Sequence, residues 1–416
     1  MGKKLSMATK ISQCRLCAGV SFDLILNLGD QALTGVFPKN GEPDPASEPL
    51  ELVKCQSCNL VQLAHNFDPE EMYGSNYGYR SGLNSSMVQH LRTKAEKLKS
   101  MVPLGPGDVV IDVGSNDGTS LGFYLDTGAT LIGVDPTINK FSSFYDSSIR
   151  QVPTFFPSQH LTQENVRAKV ISSIAMFYDL PDPVEFAKAI RSHLTLDGVW
   201  LFEQSYLPLM LQKTSYDTIC HEHLEYYSLE VVEEILKRAE LKVIDVEISD
   251  ANGGSFEVIA ARIDSPRTPT SRVAGLRESE AALQLSTMEP YRVFSENCRQ
   301  HRDELVETLS KLKASGKVIW GLGASTKGNV ILQYCGLDRE SIIAIGEVNS
   351  DKFGARTPGS EIPIEDERTM HEAKPDILLV LPWHFRESII ERESEFISRG
   401  GQLLFPLPAI ELIGKK

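Results

Sequence analysis

Residues 108–135 place the strongest constraint on the fold. Asp108-Val109-Val110-Ile111-Asp112-Val113 is an apolar run of strand length, and Gly114-Ser115-Asn116-Asp117-Gly118 turns the chain. A helix opens at Thr119, and Thr130-Leu131-Ile132-Gly133-Val134 is a second strand ending at Asp135. Two strands joined through a helix pair in parallel, because the crossover returns the chain to the same end of the sheet. Further strands are predicted at 170–175, 198–203 and 241–248, which makes a doubly wound parallel sheet. Residues 253–261 look like a late antiparallel strand closing it.

The same start recurs downstream. Lys317-Val318-Ile319-Trp320 runs into Gly321-Leu322-Gly323-Ala324-Ser325-Thr326-Lys327-Gly328-Asn329, with strands predicted at 342–345, 377–381 and 402–404. A polar helical stretch, 271–315, connects the two units. A chain of 416 residues is too long for one core. The expected fold class is α/β, with a small N-terminal ribbon, a central Rossmann-like domain and a second Rossmann-like domain at the C-terminus. The expected divisions are 1–72, 73–265, 266–315 and 316–416.

The ribbon rests on four of the seven cysteines. Cys14-Arg15-Leu16-Cys17 and Cys55-Gln56-Ser57-Cys58 each present two sulfurs from one tight turn, the spacing of a tetrahedral zinc site. Four thiolates at Cys14, Cys17, Cys55 and Cys58 leave no open position, so the ion is structural. Short strand-like pieces at 23–28 and 51–63 suit such a domain, with the proline-rich 38–49 stretch as its exposed loop. The glycine- and aromatic-rich 73–82 run reads as a loop before a helix at 84–99.

Many zinc ribbons bind nucleic acid, which requires clustered Lys and Arg. Here 56 acidic residues outnumber 42 basic ones, and no basic run exceeds a pair such as Lys3-Lys4, so nucleic acid is not an expected partner. No stretch approaches the roughly 18 apolar residues of a membrane span, and residues 1–12 lack a signal-peptide core. A cytoplasmic protein, monomer or homodimer, is expected.

The first glycine turn has G-x-x-x-G spacing, not the G-x-G-x-x-G of a dinucleotide site. An acid about twenty residues on, at Asp135, suits S-adenosylmethionine, which has no diphosphate and needs an acceptor for its ribose hydroxyls. Cofactor contacts are expected at Asp112, Gly114, Asn116, Gly118 and Asp135. The second turn is neither a Walker A loop nor a dinucleotide fingerprint. Lys327, near a helix N-terminus, is placed either to meet a phosphate or to be solvated.

Chemistry concentrates in Tyr216-Asp217-Thr218-Ile219-Cys220-His221-Glu222-His223-Leu224-Glu225-Tyr226-Tyr227. Three readings stand side by side for His221 and His223: metal ligands, packed and satisfied imidazoles, or an acid–base group oriented by neighbouring Glu or Tyr. Beside a methyl donor, a base serves transfer to carbon, oxygen or nitrogen, and spacing does not separate these acceptors.

Taken in order, these motifs resemble the S-adenosylmethionine-dependent C-methyltransferases of nucleotide-linked 4-keto-deoxysugars. The resemblance spans nearly the whole chain. It runs from the two Cys-x-x-Cys pairs, with Leu26-Asn27-Leu28-Gly29 and Asn59-Leu60-Val61-Gln62-Leu63, through Tyr77-x-Tyr79-Arg80-Ser81 and the 112–118 loop. It continues with His221-Glu222-His223, Gly254-Ser255, Gly323-Ala324-x-x-Lys327-Gly328-Asn329 and Tyr334-Cys335-Gly336. The resemblance implies methylation at C-3 of a 4-keto-6-deoxyhexose, with His223 as base and Glu222, His221, Tyr77 and Tyr79 in the catalytic group. It also implies a substrate site at Tyr77, Tyr79, Ser81, Tyr178, Lys327 and Asn329, and a cofactor contact at Phe177. Cys220 stands where the family usually has tyrosine, and Phe177-Tyr178-Asp179 where some members have histidine. The competing activity is O-methylation of a sugar or small metabolite.

Overall fold

The computed structural model describes residues 8–39, 41–67 and 79–414. Tyr77 lies outside them, as does most of the 73–82 loop. Near the N-terminus β1 (Phe22–Ala32), β2 (Ser47–Cys55) and β3 (Val61–Leu63) form an antiparallel ribbon. The 51–63 stretch is thus parts of two strands, not one piece, because the second cysteine pair turns the chain between them. The proline-rich loop is exposed over 41–44, as expected, and is also tethered. Arg356 of the C-terminal unit donates to the carbonyls of Lys39 (3.0 Å) and Glu42 (2.8 Å) and pairs with Asp44.

Helix α1 (Ser85–Met101), capped by the Asn84 side chain, leads into the central sheet. There follow β4 (Val109–Val113), β5 (Thr130–Val134), β6 (Arg150–Val152), β7 (Ala168–Ile174), α2 (Pro183–His193) and β8 (Leu194–Ser205). After β9 (Glu225–Tyr226) come α3 (Leu229–Arg238), β10 (Leu241–Ser249) and β11 (Ser255–Arg262). The sheet order is β10-β11-β8-β7-β4-β5-β6. The antiparallel β11 does not close an edge as expected; it is inserted between β8 and β10. Its first seven residues are all buried, as an interior strand requires. Winding reverses between β4 and β7, so the carboxyl end of β4 opens where wound sheets bind ligands.

The connector is two helices, α4 (Ser271–Ala282) and α5 (Glu289–Ala314). Glu280 of α4 accepts from the Leu229 (2.6 Å) and Glu230 (3.2 Å) amides, satisfying the free N–H groups that start α3. The C-terminal unit contains β12 (Ile319–Leu322), α6 (Thr326–Tyr334), β13 (Ile345–Glu347), β14 (Ile364–Asp366), β15 (Ile377–Val380), β16 (Gln402–Phe405) and β17 (Glu411–Ile413). Its order is β14-β13-β12-β15-β16-β17, parallel but for the last strand. Among the described residues no helix is long and apolar enough to cross a membrane.

One pairing governs the site. β9 adds to the ribbon, with Glu225 opposite Gln62 and Tyr226 opposite Val61. The 216–224 segment is therefore strung between the ribbon and the central domain.

Candidate active site

The four ribbon thiols have all their sulfurs within 4.8 Å of one another. Cys14–Cys58 is 3.5 Å and Cys17–Cys55 is 3.6 Å. A tetrahedron with zinc–sulfur bonds of about 2.3 Å has edges of about 3.8 Å, so the cage fits the ion. The two pairs are built alike. Ala18 (φ 57°) and Asn59 (φ 65°) follow them in left-handed conformation, and the Gly19 and Ser57 amides each approach a sulfur at 3.4 Å. Without a cation the thiols compete for protons. The bond from Cys58 pushes Cys14 down to about 4, and the same bond pushes Cys58 far up. A dication makes all four thiolates.

Arg15, between the first two cysteines, joins this cage to the chemistry. It is a buried guanidinium that donates to the Leu63 (2.8 Å), His65 (2.8 Å) and Leu224 (3.4 Å) carbonyls and lies 3.7 Å from Glu225. Gln62 donates to Cys14 Sγ (3.2 Å) and accepts from Arg15.

At the end of β4, Gly114 (φ 74°), Asn116 (φ 50°) and Gly118 (φ 76°) take left-handed conformations. A Cβ on Gly114 would sit 3.0 Å from Met176 Cγ, and one on Gly118 would sit 2.8 Å from the Tyr145 ring. Asp112 is held within the sheet by the Ser172 hydroxyl (2.6 Å), and burial pushes its carboxyl up to about 7. Asp135 accepts from the Asn116 amide (2.9 Å) and from both Thr137 donors (2.6 Å each). Three of a carboxylate's roughly four acceptor sites are thereby used, which leaves about one for a further donor.

The chain from 79 to 82 lies across this loop. Ser81 N donates to Asn116 Oδ1 (2.9 Å), Asn116 Nδ2 to the Tyr79 carbonyl (3.1 Å), and Gly82 N to Asp117 (2.9 Å). Tyr79 and Ser81 thus contact the 114–118 loop through backbone. Phe177 departs from its expected role. Its ring is wholly buried among Phe186, Trp200, Phe202 and Tyr227, a core position. Met176, one residue earlier, is the side chain that meets the loop.

The two histidines of the central run part company. His221 is buried, with its Nε2 donating to the Glu48 carbonyl (3.2 Å) and its ring edge-on to Phe67 at 4.8 Å. It is a packed group of the ribbon interface. His223 donates from Nδ1 to the Thr218 carbonyl (2.8 Å), which also accepts from the Tyr226 hydroxyl (3.2 Å). In the neutral ring that fixes Nε2 as the acceptor. Tyr178 lies against it, centroids 4.2 Å apart. Burial, reinforced by the charge of Lys327, pushes His223 down to about 3, while burial pushes Glu222 up to about 7. Buried Cys220 completes the group. The ligand atoms of Cys220, Glu222 and His223 lie within 4.8 Å of one another, a metal-like spacing. Lys327 adjoins the same group, close enough for its charge to bear on His223.

The C-terminal unit supplies the far wall. Trp383 Nε1 donates to Asp217 Oδ2 (2.7 Å), and burial pushes the Lys327 ammonium pKa down against Asp217 and Cys220. Asn329 faces the ribbon. Its Nδ2 donates to the Thr34 carbonyl (2.7 Å), and Gln333 brackets Ala32 through both amide atoms (2.8 and 3.2 Å). Gly35 follows, and a Cβ there would sit 2.2 Å from Glu222 Oε1. Sequence reasoning brought His223, Glu222, Tyr178 and Lys327 together. It missed Arg15, Gly35, Met176 and Trp383, which no local pattern marks.

The family models assign such a wound sheet, with its glycine loop at the switch point, to the methyltransferases that use S-adenosylmethionine. Three family models match in order: a zinc binding domain over 14–73, a methyltransferase domain over 87–246, and a C-methyltransferase C-terminal domain over 250–408. The C-methyltransferase NovU of Streptomyces niveus is 30% identical over 409 residues, 97% of each chain. The chain belongs to this family of C-methyltransferases. Among solved structures, a chain from the complex of the Haloferax volcanii Trm112 methyltransferase activator with a methyltransferase is 16% identical. It covers 45% of this chain and 95% of its own, with a TM-score of 0.36. An S-adenosylmethionine-dependent methyltransferase from Clostridium acetobutylicum is 14% identical over 42% and 90%, with a TM-score of 0.33.

Proposed function

We propose that the protein methylates C-3 of a nucleotide-linked 4-keto-6-deoxyhexose, with His223 as the base. The observation that carries this reading is the state of His223: its Nδ1 is committed to the Thr218 carbonyl, so Nε2 is the acceptor left at this partly buried site. The pocket keeps the imidazole neutral well below neutral pH, which leaves Nε2 unprotonated at the cost of basicity, so bound substrate must raise its proton affinity. A ketone at C-4 acidifies the C-3 hydrogen, and its removal gives a carbon nucleophile. Bound S-adenosylmethionine supplies the electrophilic methyl group. Glu222 and Tyr178 border the base and orient the sugar, and the C-terminal unit holds the nucleotide.

Thymidine-, guanosine- and cytidine-diphospho-4-keto-6-deoxyhexoses incubated with the enzyme in deuterated water, without methyl donor, test it. At least one is expected to exchange its C-3 hydrogen, and His223→Ala is expected to slow exchange by about 10²–10⁴-fold. Undiminished exchange in His223→Ala removes it as the base. A product whose new methyl resonance lies in the oxygen-bound region makes the enzyme an O-methyltransferase.

A further inference from the structure

We propose that Lys327 is a catalytic residue whose ammonium pairs with the oxygen that becomes negative when His223 removes the proton. The proposal rests on the C-3 enolate reading above and deepens it. The alternative role for Lys327 is a grip on the substrate diphosphate.

Placement comes first. Helix α6 starts at Thr326, with Ser325 Oγ accepting from Gly328 N (3.0 Å). Its far end is locked to the 216–218 turn. The Tyr216 ring meets Tyr334 at 5.0 Å, and the Tyr216 hydroxyl lies 3.5 Å from Cys335 Sγ. Its near end is locked to the ribbon through Asn329 and Thr34. At Gly35 the two sides meet. A Cβ built there would lie 2.2 Å from Glu222 Oε1 and 3.8 Å from Thr326 Oγ1. The residue after Thr326 is therefore delivered to the His223 cluster by three elements at once, one from each domain.

Charge decides between the two roles. Lys327 acts electrostatically on Asp217, His223 and His384. Asp179, Asp217 and Glu222 already bring three carboxyl groups to this junction, and a diphosphate would add further negative charge beside them. An enolate adds one charge, and only as the proton leaves. An ammonium held beside O-4 favours that late charge over the neutral ketone, which is how preorganised charge accelerates a step.

The C-3 hydrogen passes as a proton to His223 Nε2, the C–H pair becomes the C3–C4 π bond, and the carbonyl π pair moves onto O-4 opposite Lys327. On methyl transfer the O-4 pair re-forms the carbonyl, the C3–C4 π pair makes the new C–C bond, and S-adenosylmethionine departs as the neutral thioether S-adenosylhomocysteine.

The test uses the zinc-loaded full chain with Lys327→Met, Lys327→Gln and Lys327→Arg, and the nucleotide sugar that the parent enzyme exchanges best. C-3 exchange at saturating sugar and kcat are expected to fall about 10²–10³-fold in the neutral variants. Lys327→Arg should recover part of the loss. KM, and the affinity for the free nucleoside diphosphate, should change less than about threefold, since no phosphate contact is lost. The acid limb of kcat/KM should move to higher pH, because the His223 imidazolium loses a repelling neighbour. Tyr178, Asp179, Asp217, Cys220, Glu222, Tyr226 and His384 also face this pocket and stay in place in every variant. Unchanged S-adenosylmethionine affinity certifies the fold, and if Lys327→Met fails that check, the Gln–Arg comparison decides. Loss of nucleotide affinity with exchange at saturation intact overturns the proposal in favour of a phosphate grip. Parent enzyme that exchanges no C-3 hydrogen with any nucleotide sugar removes the enolate reading itself, and this proposal with it.

Discussion

The two glycine loops begin as near copies and end with different work. Each follows a buried parallel strand with a left-handed glycine, Gly114 at φ 74° and Gly323 at φ 80°. In each, an acid at the end of the neighbouring strand accepts from a loop amide at 2.9 Å: Asp135 from Asn116, and Glu347 from Ala324. The difference lies in what arrives from outside. The 79–82 chain lies across the first loop, tied to Asn116 and Asp117. On the second, Lys352 donates to the Ala324 carbonyl (2.7 Å) and lies over Phe37 of the ribbon, while α6 carries Lys327 to the His223 cluster. The same supersecondary start is a ligand cradle only where its surroundings leave it open. On this view the first loop serves the donor and the second serves the acceptor.

The sharpest way to break that division is to spoil each loop in turn. In Gly118→Val, a branched side chain is forced to φ 76° with its Cβ 2.8 Å from the Tyr145 ring. Strain and overpacking together cost about 3–5 kcal/mol. S-adenosylmethionine affinity should fall about 100-fold or more by calorimetry, with C-3 exchange in deuterated water retained. Gly323→Val, whose Cβ would meet Pro382 at 2.8 Å, should do the reverse. Loss of both functions in either variant dissolves the division of labour.

How much of this was open to inspection in the chain divides along the same line. Features fixed by near neighbours were legible. The strand–turn–strand at 108–135 appears almost as spaced, and four equivalent thiols at Cys-x-x-Cys spacing admit few other uses. Features fixed by distant partners were not. His221 and His223 are two residues apart and chemically identical, and what separates them is Glu48 and Phe67 on one side and Thr218 and Tyr178 on the other. Arg15 reads as a spacer between cysteines until Leu224, more than 200 residues away, supplies its acceptor. β11 has a strand's composition, but residue spacing says nothing about which strands will flank it. Phe177 resembled a site residue by position, while its neighbours make it core.

Glu222 sharpens the comparison from the acceptor side. Burial pushes its carboxyl from 4.5 up to about 7. A folded value above the unfolded one means stabilisation that is full below about pH 4.5 and lost as pH rises through 7. At pH 8 the buried carboxylate then costs up to ~3 kcal/mol. Glu222→Gln should therefore be more stable than the parent at pH 8 by up to that amount, equal to it at pH 4.5, and poorer in catalysis. Denaturation at the two pH values measures it. A gain of equal size at both would show that packing against Gly35, not ionisation, is the source of strain.

The smallest effect expected separates closure from chemistry. Asn329 ties α6 to the ribbon through one 2.7 Å bond to the Thr34 carbonyl. Its Oδ1 has no hydrogen-bond partner among the described residues, so Asn329→Ala removes one bond and one orphaned acceptor together. The net loss belongs at the low end for a buried hydrogen bond, about 1 kcal/mol, and Gln333 still brackets Ala32. If that bond holds the acceptor side shut, the loss appears as a rise of about fivefold in KM for the nucleotide sugar, with S-adenosylmethionine affinity unchanged. A matching fall in donor affinity would mean that the ribbon couples the two loops, and that neither works alone.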